Sequence, residues 1–151
     1  MTKNKLKIYV FLFMLMILLC YCGKESPTTS QAKAVLSLDI KESPIVSTWN
    51  PDIEKWDVAF TIVFKESGGI RAEISSIRSE ALESGDIRDS FQKSYYGELR
   101  VPANETVEYE WDFSVIGEDE FDTIRLFIFV EDANGNNMSL EENFTDLSFV
   151  K

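Results

Sequence analysis

KWDVAFTIVFK, residues 55–65, sets Trp56, Val58, Phe60, Ile62 and Phe64 on one side of an extended chain. Lys55, Asp57, Thr61 and Lys65 fall on the other side. Side chains alternate across a strand with period two, whereas a helix of period 3.6 would scatter those five apolar groups around its circumference. The stretch therefore reads as a half-buried β-strand, and its aromatic and β-branched content suits a pleated surface packed on one side. It decides the fold class, because the same period recurs in both directions from it.

Upstream, Ala34, Leu36, Leu38 and Ile40 alternate with Lys33, Ser37, Asp39 and Lys41, and Pro44 and Asn50-Pro51 then break the chain. Downstream, Ser67-Gly68-Gly69 is a turn, after which Ile70, Ala72 and Ile74 face inward. Ile77 is out of phase with them, which predicts a bulge near Ser75-Ser76. Residues 79–92 lack a clear period and read as a long connection, with Ser79 capping a short helical turn through Glu80-Ala81-Leu82. Tyr95, Leu99 and Val101 share a face, and Pro102-Ala103-Asn104 turns the chain. Val107, Tyr109, Trp111 and Phe113 then point inward, with Thr106, Glu108, Glu110 and Asp112 outward. The strand of Ile124, Leu126, Ile128 and Val130 differs, because Phe127 and Phe129 occupy its other face. A strand apolar on both faces is either covered on both sides or presents an aromatic patch. Asn134-Gly135 signals a hairpin, and a last strand carries Met138, Leu140 and Phe144 towards Leu147 and Phe149.

Roughly seven strands at 10–15-residue intervals, joined by Gly, Pro and Asn turns, predict an all-β, antiparallel β-sandwich. The order resembles an immunoglobulin-like or fibronectin type III-like module over residues 33–150. The likeness is carried by Val101-Pro102-Ala103-Asn104-Glu105-Thr106, the aromatic strand after it, a long strand, and the Asp-x-Asn-Gly hairpin at 132–135. That ending resembles Ig-like modules of bacterial surface proteins. The resemblance implies a seven-stranded immunoglobulin-like sandwich, here without the inter-sheet cysteine pair of antibody domains.

The N-terminus concerns location. Lys3, Lys5 and Lys7 precede an uncharged apolar run from Ile8 to Leu19, the pattern of a secretory signal. From Ile8 to Gly23 there are sixteen uncharged residues, against the roughly 20 that a free-standing span needs. No small-residue cleavage pair follows closely. Instead come Leu19-Cys20-Tyr21-Cys22 and Gly23. Here the chain resembles a bacterial lipoprotein precursor, in which a lipobox cysteine receives diacylglycerol and becomes the mature N-terminus. Leu19 stands at the expected third position before Cys22, while Tyr21 occupies a place where small residues are usual. The resemblance implies a signal peptide over 1–21, a lipidated Cys22 with a Ser/Thr-rich tether over 22–32, and a folded domain over 33–151. Lipidation of Cys20, an uncleaved anchor helix and plain secretion remain alternatives. All of them put the lysines inside and the remainder outside, so the expected location is the bacterial cell envelope, facing the periplasm or the exterior.

Beyond residue 21 the chain holds twelve basic and twenty-six acidic residues, a net charge of −14. Nucleic-acid binding needs a basic face for phosphates, and a polybasic lipid-headgroup patch is missing as well. Histidine is absent, and no cysteine follows Cys22. That argues against histidine-assisted nucleophiles and against a zinc site. The carboxylates of Glu118-Asp119-Glu120 lack the burial and spacing of a glycosidase pair. Asp132, Asn134 and Asn136 have the opening spacing of a calcium loop, but Asn137 and Asn143 stand where an EF-hand wants Gly and Glu. A plain turn is the simpler reading.

The expected function is that of a non-catalytic, membrane-anchored binding module without a cofactor, held to the lipid bilayer by Cys22. Its partner is expected to be another envelope protein, engaged by sheet-edge pairing or through Trp49, Tyr96, Phe127 and Phe129 or the stretch 79–92. A structural spacer is the first alternative, a sugar-binding module using Trp49 and Tyr96 the next, and an enzyme the last. No small-molecule ligand can be named.

Overall fold

The strand that opens the analysis is the organising strand of one sheet. In the computed structural model, which describes residues 32–151, it is β3 (Lys55–Glu66). Trp56, Val58, Phe60, Ile62 and Phe64 are all at most 4% exposed. Burying each such side chain contributes about 1.5–3 kcal/mol.

On one side β3 pairs antiparallel with β6 (Thr106–Ile116) over its whole length, from Lys55↔Ile116 to Lys65↔Thr106. On its other side lie two short strands end to end. β1 (Leu36–Ile40) pairs with residues 62–66, and β2 (Ile45–Asn50) with residues 55–58. Between them the ladder is carried by a side chain. Glu42 accepts the Thr61 amide at 2.7 Å and the Thr61 hydroxyl at 2.7 Å. β9 (Leu147–Val150) adds to β2 in parallel, Ile45↔Leu147 through Thr48↔Val150, and completes a five-stranded sheet.

The second sheet has four strands in the order β5-β4-β7-β8. They are β4 (Ala72–Glu83), β5 (Asp86–Val101), β7 (Thr123–Asp132) and β8 (Asn137–Phe144). Ile74, Ile77, Leu126 and Ile128 are fully buried within one core that joins the two sheets. The chain is thus an all-β sandwich, and its described residues contain no helix.

Among the described residues nine strands stand where seven were expected. β2 runs through the segment read as a break after Pro44, and β9 separates from β8 at Thr145-Asp146. Residues 79–92, read as a connection with a helical turn, are the ends of β4 and β5 closed by the hairpin turn at Ser84-Gly85. Pairing with β5 on one side and β7 on the other overrides the weak strand preference of Ser79, Glu80 and Ala81. The register shift between Ile74 and Ser76 falls at the phase break. The expected signal or anchor helix and Cys22 lie outside the described residues.

Where the chain enters the domain, Glu66 is 1% exposed and is bound by four backbone amides. Val35 and Gly68 donate to Oε1 at 3.0 and 2.7 Å, and Gly69 and Asn104 to Oε2, both at 2.9 Å. Gly68 has no room for a side chain, because a Cβ there would lie 2.8 Å from Val35 N and 2.9 Å from Lys33 O. Replacing Glu66 by Ala leaves those amides without their acceptor, and is expected to destabilise the domain by on the order of 3 kcal/mol. Glu66→Gln, which keeps one acceptor oxygen, is expected to cost less in urea unfolding.

Candidate interaction surface

The outward side of the four-stranded sheet answers the question posed by Phe127 and Phe129. Along β7, Arg125, Phe127 and Phe129 stand opposite Glu80, Arg78 and Ser76 of β4. The Arg78 guanidinium lies 4.2 Å from the Phe127 ring centroid and that of Arg125 5.2 Å. A cation over an aromatic face is held by the ring quadrupole. Glu80 is 4% exposed although it belongs to an outward-facing row. It accepts Arg125 Nε at 2.9 Å and has Arg78 Nε at 3.3 Å. Two guanidinium groups thus roof Phe127 and neutralise the carboxylate buried beneath them. Phe127 is half-buried for this reason, without a further layer of backbone, whereas Phe129 is 37% exposed.

All five arginines of the chain lie on or within one residue of β4, β5 and β7. Arg78 and Arg125 meet the buried Glu80 on one side of Phe127, and the exposed Glu141 stands opposite Phe127 on β8, so cations and carboxylates balance in this patch. Arg78, Arg125 and Glu80 were not singled out from sequence. Their signal is the period-two spacing Arg78/Glu80 and Arg125/Phe127, legible only once residues 79–83 are known to be strand.

Tyr96 projects from the edge of the same sheet. Ser94 pairs with Ser76 and Leu99 with Ile74, so residues 95–98 stand opposite Ser75 alone. Gly97 takes φ +76° in this bulge. Tyr95 turns inward, 5% exposed, with its hydroxyl 2.9 Å from that of Tyr109. Burial, with that hydrogen bond, holds its phenol protonated well above the ordinary range. Neighbouring side chains on an extended chain point to opposite sides, and Tyr96 is 91% exposed.

Trp49 stands apart from this group. It lies in β2, in the other sheet, half-buried, with its ring 5.4 Å from that of Trp56. Trp56 also meets Phe149 at 5.1 Å and donates its indole N–H to Asp119 O at 3.1 Å. The parallel pairing of β9 brings Phe149 there, and Trp49 closes that end of the core. The structure therefore places Phe127 and Phe129 on one sheet face and Tyr96 at its edge, and puts Trp49 on the opposite sheet.

The Asp132–Asn136 loop is a hairpin organised by its own donors. Asp132, 4% exposed, accepts Asn134 N and Asn136 N at 2.9 Å on Oδ1, and Ala34 N at 3.2 Å on Oδ2. The Asn136 side-chain amide donates to both oxygens, and that of Asn134 to Ala32 O at 2.8 Å. Gly135 at φ +79° closes it. Asn134 and Asn136 thus turn N–H groups, not oxygens, towards the Asp132 carboxylate. Among the described residues no three of His, Cys, Asp and Glu are grouped as metal ligands would be.

Other hollows are shallow and polar. One is lined by Arg71, Glu73, Glu131 and Asp132, another by Glu42, Thr61, Glu110 and Asp112. Glu42 is held below the ordinary carboxylate range by the Thr61 amide. It is committed to the fold rather than poised for proton transfer.

No protein-family model matches this chain, and no curated protein matches it in sequence. Among solved structures it is similar to an ApaA protein from Bordetella pertussis, with TM-score 0.53, 13% identity, and coverage of 74% of this chain and 90% of that one. It is also similar to a structural-genomics target solved by X-ray, with TM-score 0.51, 11% identity, and coverage of 77% and 85%. Likeness at such identity is likeness of fold, and it agrees with the two-sheet sandwich.

Burial works against ionisation of Asp132, but the donated bonds of Asn136, Ala34 and Asn134 outweigh it and lower its pKa from 3.8 to about 2. The unfolded chain then binds more protons than the folded one between these values, so stability is fully present above pH 3.8 and is lost as pH falls towards 2. Asp132→Asn is expected to lower the melting temperature at neutral pH and to flatten its fall in this acid window. Calcium at millimolar concentration is expected to leave the melting temperature of the unaltered chain unchanged, by calorimetry. In the Arg roof, Arg125→Gln strips Glu80 of its nearer partner and is expected to cost on the order of 2 kcal/mol, below a fully buried pair because Arg125 is partly solvated.

Proposed function

We propose that this chain is a non-catalytic binding module of the bacterial cell envelope, tethered by an acylated Cys22, and that it meets a protein partner through the outer face of its four-stranded sheet. The observation that carries the reading is the exposure of Phe129 and Tyr96 beside the Arg-roofed Phe127. Exposed aromatics and arginine are the side chains enriched where proteins meet. An aromatic patch whose arginines are matched by Glu80 and Glu141 gives the partner a defined character, a largely apolar surface.

The tether rests on the sequence: three lysines, an apolar run and Leu19-Cys20-Tyr21-Cys22. Stable anchoring takes two or more acyl chains, which a triacylated cysteine supplies. The immunoglobulin-like or fibronectin type III-like assignment is supported by strand order. If β1 and β2 are one interrupted first strand and β9 an added edge, the remainder is a three-plus-four arrangement, β6-β3-β1/β2 against β5-β4-β7-β8. A sugar platform built from Trp49 and Tyr96 has less support, since they belong to different sheets. A catalytic reading has less support, since the buried carboxylates Glu66, Glu80 and Asp132 are each bound by N–H donors of the fold.

The anchor is tested by mass spectrometry of the mature N-terminal peptide, expected to begin at a lipidated Cys22, and by Cys22→Ser, expected to move the chain to the soluble fraction. An intact N-terminus on a membrane-bound chain would replace the lipid by a helical anchor. For the surface, a photo-crosslinker at Tyr96 or Phe129 is expected to join the same envelope protein, and one at Glu108, on the other sheet, to miss it. Equal yields from both sheets would remove the assignment.

A further inference from the structure

The long edge of the five-stranded sheet carries no strand beside it. β6 pairs with β3 on one side without a break in register, and among the described residues no strand pairs on the other. The Ile116 amide turns to that open side, where Asp89 Oδ2 accepts it at 3.2 Å. The carbonyl of Glu105 lies on the β3 side, where it accepts the Glu66 amide at 2.9 Å. Backbone groups alternate between the two sides of a strand, so Glu108, Glu110, Asp112 and Ser114 turn both N–H and C=O to the open side. The other edges are blunted in ways that discourage pairing. β5 carries the bulge at 95–98 and sets Asp89 and Lys93 in its inward row, opposite Ala81 and Ile77. β8 sets Glu142 in its inward row, opposite Leu126. β1 and β9 have five and four residues. β6 has eleven, with no proline or bulge, and its inward row of Val107, Tyr109, Trp111, Phe113 and Val115 holds no charge.

The surroundings of this edge define its occupant. Phe91 reaches across from β5 with its ring 5.6 Å from that of Trp111, and it stays 41% exposed. Trp111 is buried, and its indole N–H has no acceptor among the described residues. A strand laid beside β6 sets an inward side chain about 5 Å from that of Trp111, within reach of Phe91. Its outward side chains meet Glu108, Glu110 and Asp112, all exposed. Glu108 already holds Lys41 at 2.7 Å, whereas Glu110 and Asp112 have no ion-pair partner among the described residues. They line the hollow shared with Glu42 and Thr61. A second copy of β6 does not fit, because pairing about its middle sets Glu110 opposite Asp112, and like charges directly opposite destabilise a strand pair. We infer that the open edge of β6 takes an added strand from a partner protein, a segment in which Lys or Arg alternates with apolar residues. Main-chain hydrogen bonds hold such a strand and alternate side chains select it, with the basic row beside Glu110 and Asp112 and the apolar row beside Trp111 and Phe91. This is a second contact, apart from the one proposed for Tyr96 and Phe129, and it does not depend on acylation of Cys22.

The test uses the full chain in detergent and follows amide hydrogen exchange by NMR. The probes are a short peptide alternating Lys and Val, a peptide of the same composition with its Lys and Val in two blocks, and the chain itself at rising concentration. In the free chain the amides of Glu110, Asp112 and Ser114 are expected to exchange faster than those of Trp111 and Phe113, which face β3. The alternating peptide is expected to slow the first three at least about tenfold and to leave the last two unchanged. It is expected to bind at least about tenfold more tightly than the blocked peptide, and more weakly in ~1 M salt. Ser114→Pro removes an edge N–H and no bond to β3, and is expected to lose the slowing while Trp111 and Phe113 stay protected. Glu110→Lys/Asp112→Lys is expected to shift the preference to a peptide alternating Glu and Val. Equal binding of the two Lys/Val peptides would reduce the edge to a general acidic surface, and slowing on concentration alone would make it a contact between copies. Slow exchange of Glu110 and Asp112 in the free chain would show an edge already covered, and no slowing with any probe would remove the inference.

Discussion

Two buried carboxylates hold the entry end of this domain together. Glu66 and Asp132 sit in different sheets, yet each takes an amide from the same incoming segment, Asp132 from Ala34 and Glu66 from Val35. Glu66 also binds the turn after β3 and the turn before β6, and Asp132 its own hairpin. An ionised carboxylate accepting several backbone N–H groups is strongly favoured in its charged form, and those amides, buried without an acceptor, would be costly. Each group therefore depends on the other. The small glycines at 68 and 69 and the left-handed Asn104, φ +59°, let the chain approach closely enough for this to occur.

Fixing that end has a consequence for the whole sandwich. The first strand is locked in register against β3, and the amides of Ala34 and Val35 at its start are held by carboxylates of both sheets. The opposite end is organised differently. There Trp56 and Phe121 meet Phe149 edge to face and Trp49 meets Trp56 at a tilt, with centroids 5.0–5.4 Å apart. One end is closed by charge-assisted hydrogen bonds and the other by aromatic packing.

Charge is also distributed unevenly. The arginines belong to the four-stranded sheet, where Arg78 and Arg125 cover Phe127 and neutralise Glu80, while the outward positions of β6 carry Glu108, Glu110 and Asp112. A formal charge of −11 describes neither surface. The same side chains that make β7 tolerable as a strand apolar on both faces leave Phe129 open, the residue on which the proposed contact rests. Structure and proposed function share the residues there.

Much of the architecture was legible in the sequence. Period two over residues 55–65 and 106–113, the turns at Ser67-Gly68-Gly69 and Asn134-Gly135, and the phase break at Ser75-Ser76 are local signals, because the side-chain alternation of a strand is set by its own backbone. β2 and β9 escaped, since their parallel pairing is made by backbone groups of residues about 100 positions apart, which no local pattern records. Tyr96 and Phe129 were legible as aromatics out of place in a half-buried pattern. The arginine roof was not, because its members lie 47 residues apart and meet only through the β4–β7 register. Glu66 carried no signal of its own, and Asp132 read as part of a hairpin turn with calcium-loop spacing. Their burial was decided by tertiary structure alone, since a carboxylate becomes a structural centre only when distant amides converge on it.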